Sequence, residues 1–144
     1  MTNHFLFQEG LWEGTGEITI PLSEKPYPLI VRWTVTALGN GRFKAVQRVE
    51  VESHEPMVNT FTLSGKEDGE FQINLENDSI GMFSGSGVSD RDKLAWEFTH
   101  NGMLEGYEVY ERKSNEEYSF RAEYLGGEGV ATVVSGNILL KGES

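Results

Sequence analysis

Short stretches of alternating apolar and polar residues, cut apart by glycine, asparagine or aspartate turns, recur along the whole chain. A period of two puts one face of an extended strand against a core and the other in water. No stretch of useful length carries a helical period. Strands are expected at residues 11–20, 29–38, 42–52, 58–64, 70–76, 79–88, 93–100, 103–112, 117–125 and 130–140. Regular spacing with turn signals means a sandwich or a barrel. Consecutive hairpins without long crossovers favour the barrel, which leaves no exposed edge. The expected fold is therefore all-β: an antiparallel up-and-down β-barrel of about ten strands, in one domain over residues 1–144.

Within that pattern some registers can be read directly. A three-residue Gly39-Asn40-Gly41 loop matches Ala37 with Phe43, Val35 with Ala45, Trp33 with Gln47 and Val31 with Val49. The shared face is then apolar except for Gln47. A two-residue loop would match Trp33 with Arg48, and register must put one consistent set inside. With the opposite parity Arg32, Thr34 and Thr36 would face the interior instead. Asn101-Gly102 favours a type I′ turn. That turn would place His100 opposite Met103, Phe98 opposite Glu105, Trp96 opposite Tyr107 and Leu94 opposite Val109. Gly81, Gly85 and Gly87 precede no helix, so they make no phosphate loop; they read as a bent or bulged strand.

Bulk properties narrow the function. The formal charge of -11 argues against nucleic acid or an anionic membrane as a partner. The chain has no cysteine, which removes disulfides and thiolate metal sites and fits a reducing compartment. Residues 1–9 carry neither a basic nor an apolar leader region, and no apolar run approaches membrane-spanning length. A cytoplasmic protein without membrane insertion is expected, and a homodimer is compatible with the sequence. His4, His54 and His100 are too scattered for a zinc site. Asp90, Asp92 and the Glu67-Asp68 pair lack calcium-loop spacing. No metal is expected.

The first strand carries Gly10-Leu11-Trp12-Glu13-Gly14-Thr15-Gly16, behind a short Phe5-Leu6-Phe7 turn or plug and ahead of the strand meander. This arrangement resembles the calycins: lipocalins, fatty-acid-binding proteins and nitrobindin-like barrels. The Gly-x-Trp-x-Gly-x-Gly form is most similar to the nitrobindin-like and small bacterial lipocalin-like groups. The resemblance implies a closed barrel holding a small, mostly apolar ligand. It also implies a basic residue against the motif tryptophan, for which Lys141 and Arg121 are the candidates. Nitrobindin-like proteins bind haem through a histidine near the C-terminus, and no histidine follows His100, so neither haem nor another cofactor is expected. The leader and disulfides of secreted lipocalins are missing. The Arg-x-Tyr of fatty-acid-binding proteins has no match, because Arg121-Ala122-Glu123-Tyr124 is spaced differently.

The resulting expectation is a barrel that binds a small hydrophobic or amphipathic ligand. Trp33, Trp96, Tyr107, Tyr118 and Tyr124, with Phe120, are candidates for its lining, and Gln47, Tyr107 and His100 for its polar contacts. The same aromatics would alternatively fill the barrel, leaving a ligand-free interaction module. An enzyme is the other rival. Its weak catalytic candidates are His100 and Glu105, diagonal neighbours if the Asn101-Gly102 register holds, because a carboxylate beside an imidazole makes a general base.

Overall fold

All ten expected strands form. The computed structural model describes residues 4–20, 24–65, 67–79, 81–100, 104–125 and 131–142. In chain order the strands are β1 (Gly10–Thr19), β2 (Tyr27–Gly39), β3 (Arg42–Val51), β4 (Met57–Gly65), β5 (Glu70–Asn77), β6 (Gly81–Ser89), β7 (Lys93–His100), β8 (Leu104–Ser114), β9 (Glu117–Leu125) and β10 (Ala131–Gly142). Each pairs antiparallel with its neighbour in sequence, and β10 closes the barrel against β1. Closure brings two backbones close together where glycine faces inward. A Cβ on Gly14 would lie 1.8 Å from the carbonyl oxygen of Asn137. The glycines of the Gly-x-Trp-x-Gly-x-Gly run thus serve the seam of the barrel.

The β2–β3 register matches the reading of the three-residue loop: Trp33 pairs with Gln47, Val35 with Ala45 and Val31 with Val49. Arg32, Thr34 and Thr36 face solvent. Arg32 reaches Glu13 and Glu50 across the outer surface.

The β7–β8 register departs from expectation by one residue. Phe98 faces Gly106, Trp96 faces Glu108, Leu94 faces Tyr110, and His100 faces Leu104. Residues 101–103, where the Asn101-Gly102 turn falls, lie outside the described residues. The slip exchanges the two faces of β8. Tyr110 turns inward and stacks between Trp96 (ring centroids 5.2 Å) and Phe120 (5.3 Å). Glu105 turns outward to solvent, which avoids burying an unpaired carboxylate. β6 is paired without a register shift, so its glycines mark no bulge. Gly87 instead leaves room for the Phe71 ring.

One end of the barrel is sealed by the 3-10 turn Phe5–Phe7. Phe5 is fully buried, with its ring 5.6 Å from Trp12, 5.4 Å from Trp33, 5.1 Å from Tyr110 and 5.2 Å from Tyr118. Phe7 packs edge-on to Phe43 and Phe71. His4 latches the turn. Its Nε2 lies 2.5 Å from the Asp90 carbonyl oxygen, so Nε2 carries the proton. Nδ1 then accepts from the Tyr118 hydroxyl at 2.7 Å. Burial, with a smaller push from the Arg112 guanidinium, holds this imidazole below its ordinary pKa.

Truncating Phe5 would open a cavity among four aromatic rings. Phe5→Ala is expected to lower unfolding free energy by about 3–5 kcal/mol, measured by urea denaturation followed through tryptophan fluorescence.

Candidate functional site

The two ends of the barrel differ. At the sealed end Phe5, Trp12, Tyr110 and Tyr118 are fully buried. Away from it, inward-facing Ile18, Val49, Val51, Tyr124 and Val134 are only partly buried, although they pack against the core. Ile18 and Val134 sit opposite each other on β1 and β10. The unsealed half therefore keeps an apolar inner wall that solvent still reaches.

Two polar groups stand in this wall. The first is centred on Glu108, an inward carboxyl only 4% exposed. Tyr110 donates to its Oε1 at 2.9 Å, and Tyr124 donates to its Oε2 in a short hydrogen bond. Gly106 makes the second contact possible, because the Tyr124 ring lies where a Cβ on Gly106 would project. Burial pushes the Glu108 carboxyl above its ordinary pKa; the two phenols, and the nearby Trp96 indole, oppose this. Burial likewise raises both Tyr110 and Tyr124.

The second group is a chain of amides across β3, β4 and β5. The Ser79 backbone N–H must donate, so the Asn77 oxygen that it meets at 2.7 Å is the acceptor. Asn77 Nδ2 then donates to Asn59 Oδ1 at 2.6 Å, and Asn59 Nδ2 to Gln47 Oε1 at 2.8 Å. The direction of the chain is fixed by its backbone end.

The residues expected from sequence to form a site are dispersed. Trp33, Trp96 and Gln47 face the interior, with Gln47 at the end of the amide chain. Tyr124 belongs to the Glu108 group. Tyr118 sits at the sealed end, bonded to His4 and Arg112, away from the open half. Tyr107 faces outward, 37% exposed, and donates to Glu123 at 3.1 Å. It borders a recess of about 410 Å³ on the outer wall with Val88, Ala95 and Val109. The slipped register explains its position. His100 ends β7 opposite Leu104, and its side chain lies outside the described residues. Glu105 is solvent-facing opposite Thr99, so the His100–Glu105 diagonal across an inner face does not form.

Neither candidate for the basic residue against the motif tryptophan is placed there. Arg121 faces outward toward Glu123, and Lys141 is exposed. Arg112 instead caps the Tyr118 ring at 5.7 Å, and Tyr118 meets Trp12 edge-on. Glu108, Asn59 and Asn77 were not legible as site residues. For Glu108 the available signal was its alternation with Gly106 and Tyr110 on one face of β8.

No protein-family model and no curated protein matches the chain. Solved structures do resemble it. Rv2717c from M. tuberculosis superposes with a TM-score of 0.74 at 14% identity, over 95% of this chain and 94% of that one. The S-type phycobiliprotein lyase CPES from Guillardia theta gives 0.69 at 8% identity, over 94% and 89%. EF1p2_mFAP2b bound to DFHBI gives 0.55 at 14% identity, over 94% of each chain. These likenesses are to the fold, a closed antiparallel ten-stranded β-barrel.

The raised pKa of Glu108 means that folding favours its protonated form. The resulting stability is complete in acid and declines as pH rises from the ordinary glutamate range through the folded-state value. Glu108→Gln keeps the shape and removes the titration. Urea denaturation across pH 4–8 should show wild type losing stability relative to the variant as pH rises, by up to about 1.4 kcal/mol per pH unit within the window. Parallel pH profiles would show that the carboxyl is not held protonated.

Proposed function

We propose that this chain binds a small hydrophobic or amphipathic molecule in the unsealed half of its barrel. The observation that carries the reading is the asymmetry of the interior. Five side chains, Ile18, Val49, Val51, Tyr124 and Val134, stay partly exposed on the inner wall at one end, while at the other the buried Phe5 and His4 close the barrel and Phe7, Phe43 and Leu140 are the partly exposed ones. An apolar concave wall with a few convergent polar groups is the usual composition of a small-molecule site. Gln47 and Tyr124 supply those groups, and Trp33 and Trp96 form the floor beneath them. His100 stands at the rim by its place at the end of β7. EF1p2_mFAP2b, which shares the fold, is bound to DFHBI, and this supports a barrel of this kind as a ligand holder. The fold alone does not fix the function; the reading rests on the inner wall.

A ligand-free assembly module is the second reading. It is favoured by the depth of aromatic filling, since Trp33, Phe61, Trp96 and Tyr110 already occupy the middle of the barrel in mutual ring contact.

Native mass spectrometry of the purified protein, before and after mild denaturation, separates the two. A defined additional mass that leaves on unfolding is expected. A clean apo mass, together with no binding of added DFHBI by fluorescence titration, favours the assembly module.

A further inference from the structure

Three buried hydrogen-bond donors of the interior have no partner among the described residues. The indole N–H groups of Trp12, Trp33 and Trp96 are buried without a partner. Trp33 and Trp96 lie toward the Tyr110 hydroxyl and the Glu108 carboxyl, close enough to influence their protonation but without hydrogen-bond geometry. The amide chain adds a fourth donor. Ser79 fixes its direction, so Gln47 spends its oxygen on Asn59 and keeps its Nε2 donors unpartnered among the described residues. Gln47 is inward-facing, 8% exposed, and lies on β3 directly below the partly buried Val49 and Val51. Its free donor is thus at the boundary between the filled middle and the open wall.

The inward carboxyl, Glu108, is 4% exposed and already has partners. Both Glu108 oxygens receive phenolic hydrogen bonds. Arg112, an inward cation, is engaged with Tyr118 and His4 at the sealed end. An anionic head group entering the open half would meet the Gln47 amide with no inward cation beside it among the described residues, and burying a charge unpaired is expensive. An ammonium group would meet the Gln47 Nε2 donor where it needs an acceptor.

We infer that the molecule bound by the open half is a neutral one, an apolar body carrying a hydrogen-bond acceptor such as a carbonyl, and that Gln47 Nε2 is the donor that holds it. This rests on the binding reading given above and assigns the class of ligand. The apolar body lies along Ile18, Val49, Val51 and Val134. An inward donor without a protein partner gives a site its discrimination, because a ligand lacking the acceptor leaves it unpaired.

The test uses three probes with one hydrocarbon chain and different heads: 2-decanone, decanoate and decylamine. Binding is followed by intrinsic tryptophan fluorescence and by the indole N–H resonances in ¹⁵N-labelled protein. The ketone is expected to bind at least tenfold more tightly than either ion. Gln47→Glu keeps the oxygen that accepts from Asn59 and removes the donor, so it preserves the amide chain. It is expected to weaken the ketone about tenfold, equivalent to about 1.4 kcal/mol, and to improve decylamine. If decanoate or decylamine binds wild type as tightly as the ketone, the ligand class is wrong while the binding barrel stands. If the ketone is preferred but Gln47→Glu binds it unchanged, Gln47 is not the anchor. If none of the three binds, the binding reading fails and this inference with it.

Discussion

The burial of Phe5 among Trp12, Trp33, Tyr110 and Tyr118 is the interaction on which the rest of this barrel depends. A closed sheet of ten strands is wide enough to need filling, and this chain fills one end from its own N-terminus. The plug gives the barrel a direction. Below it, Trp12, Trp33, Tyr110 and Tyr118 are buried against its ring. Above it, β1, β3 and β10 offer Ile18, Val49, Val51 and Val134, which are only partly buried. The asymmetry that supports a ligand site follows from which end the plug occupies. His4 reinforces this through a hydrogen bond to the Asp90 carbonyl before β7 and another to Tyr118 on β9.

How much of this was legible depended on the strand. β2 and β3 could be read in register because only one parity gives a consistent apolar set, and Trp33 opposite Gln47 followed. β8 could not. Its two faces are nearly balanced: Glu105, Tyr107, Val109 and Glu111 on one, Gly106, Glu108, Tyr110 and Arg112 on the other. A local turn preference at Asn101-Gly102 then tipped the reading. Tertiary packing decided otherwise, because only the second set brings Tyr110 between Trp96 and Phe120 and seats Tyr124 over Gly106. The expectations for Tyr107 and Glu105 both failed for this single reason.

The polar groups were hidden for a different reason. Asn59 and Asn77 acquire meaning only beside Gln47, and the three lie on different strands. Nothing in the local sequence distinguishes them from turn or surface amides. The plug, by contrast, was visible as three consecutive bulky residues ahead of the glycine-rich strand. Local pattern reports what one strand does with its own two faces; it does not report side chains that meet across three.

The same argument explains why a carboxyl is tolerated at the centre of an aromatic interior. An unpaired buried donor or acceptor costs about 1–3 kcal/mol. Glu108 avoids that cost through Tyr110 and Tyr124, while Trp33 and Trp96 approach the same group without completing a hydrogen bond. A carboxylate has about four lone-pair sites, so the number of donors around Glu108 suits it, but strand spacing fixes where the indoles stand. Moving β8 by one residue would carry Glu108 to the surface, leave Tyr124 without its acceptor and remove Tyr110 from the stack. The aromatic wall and the buried acid therefore require the same register, and neither can be changed without the other.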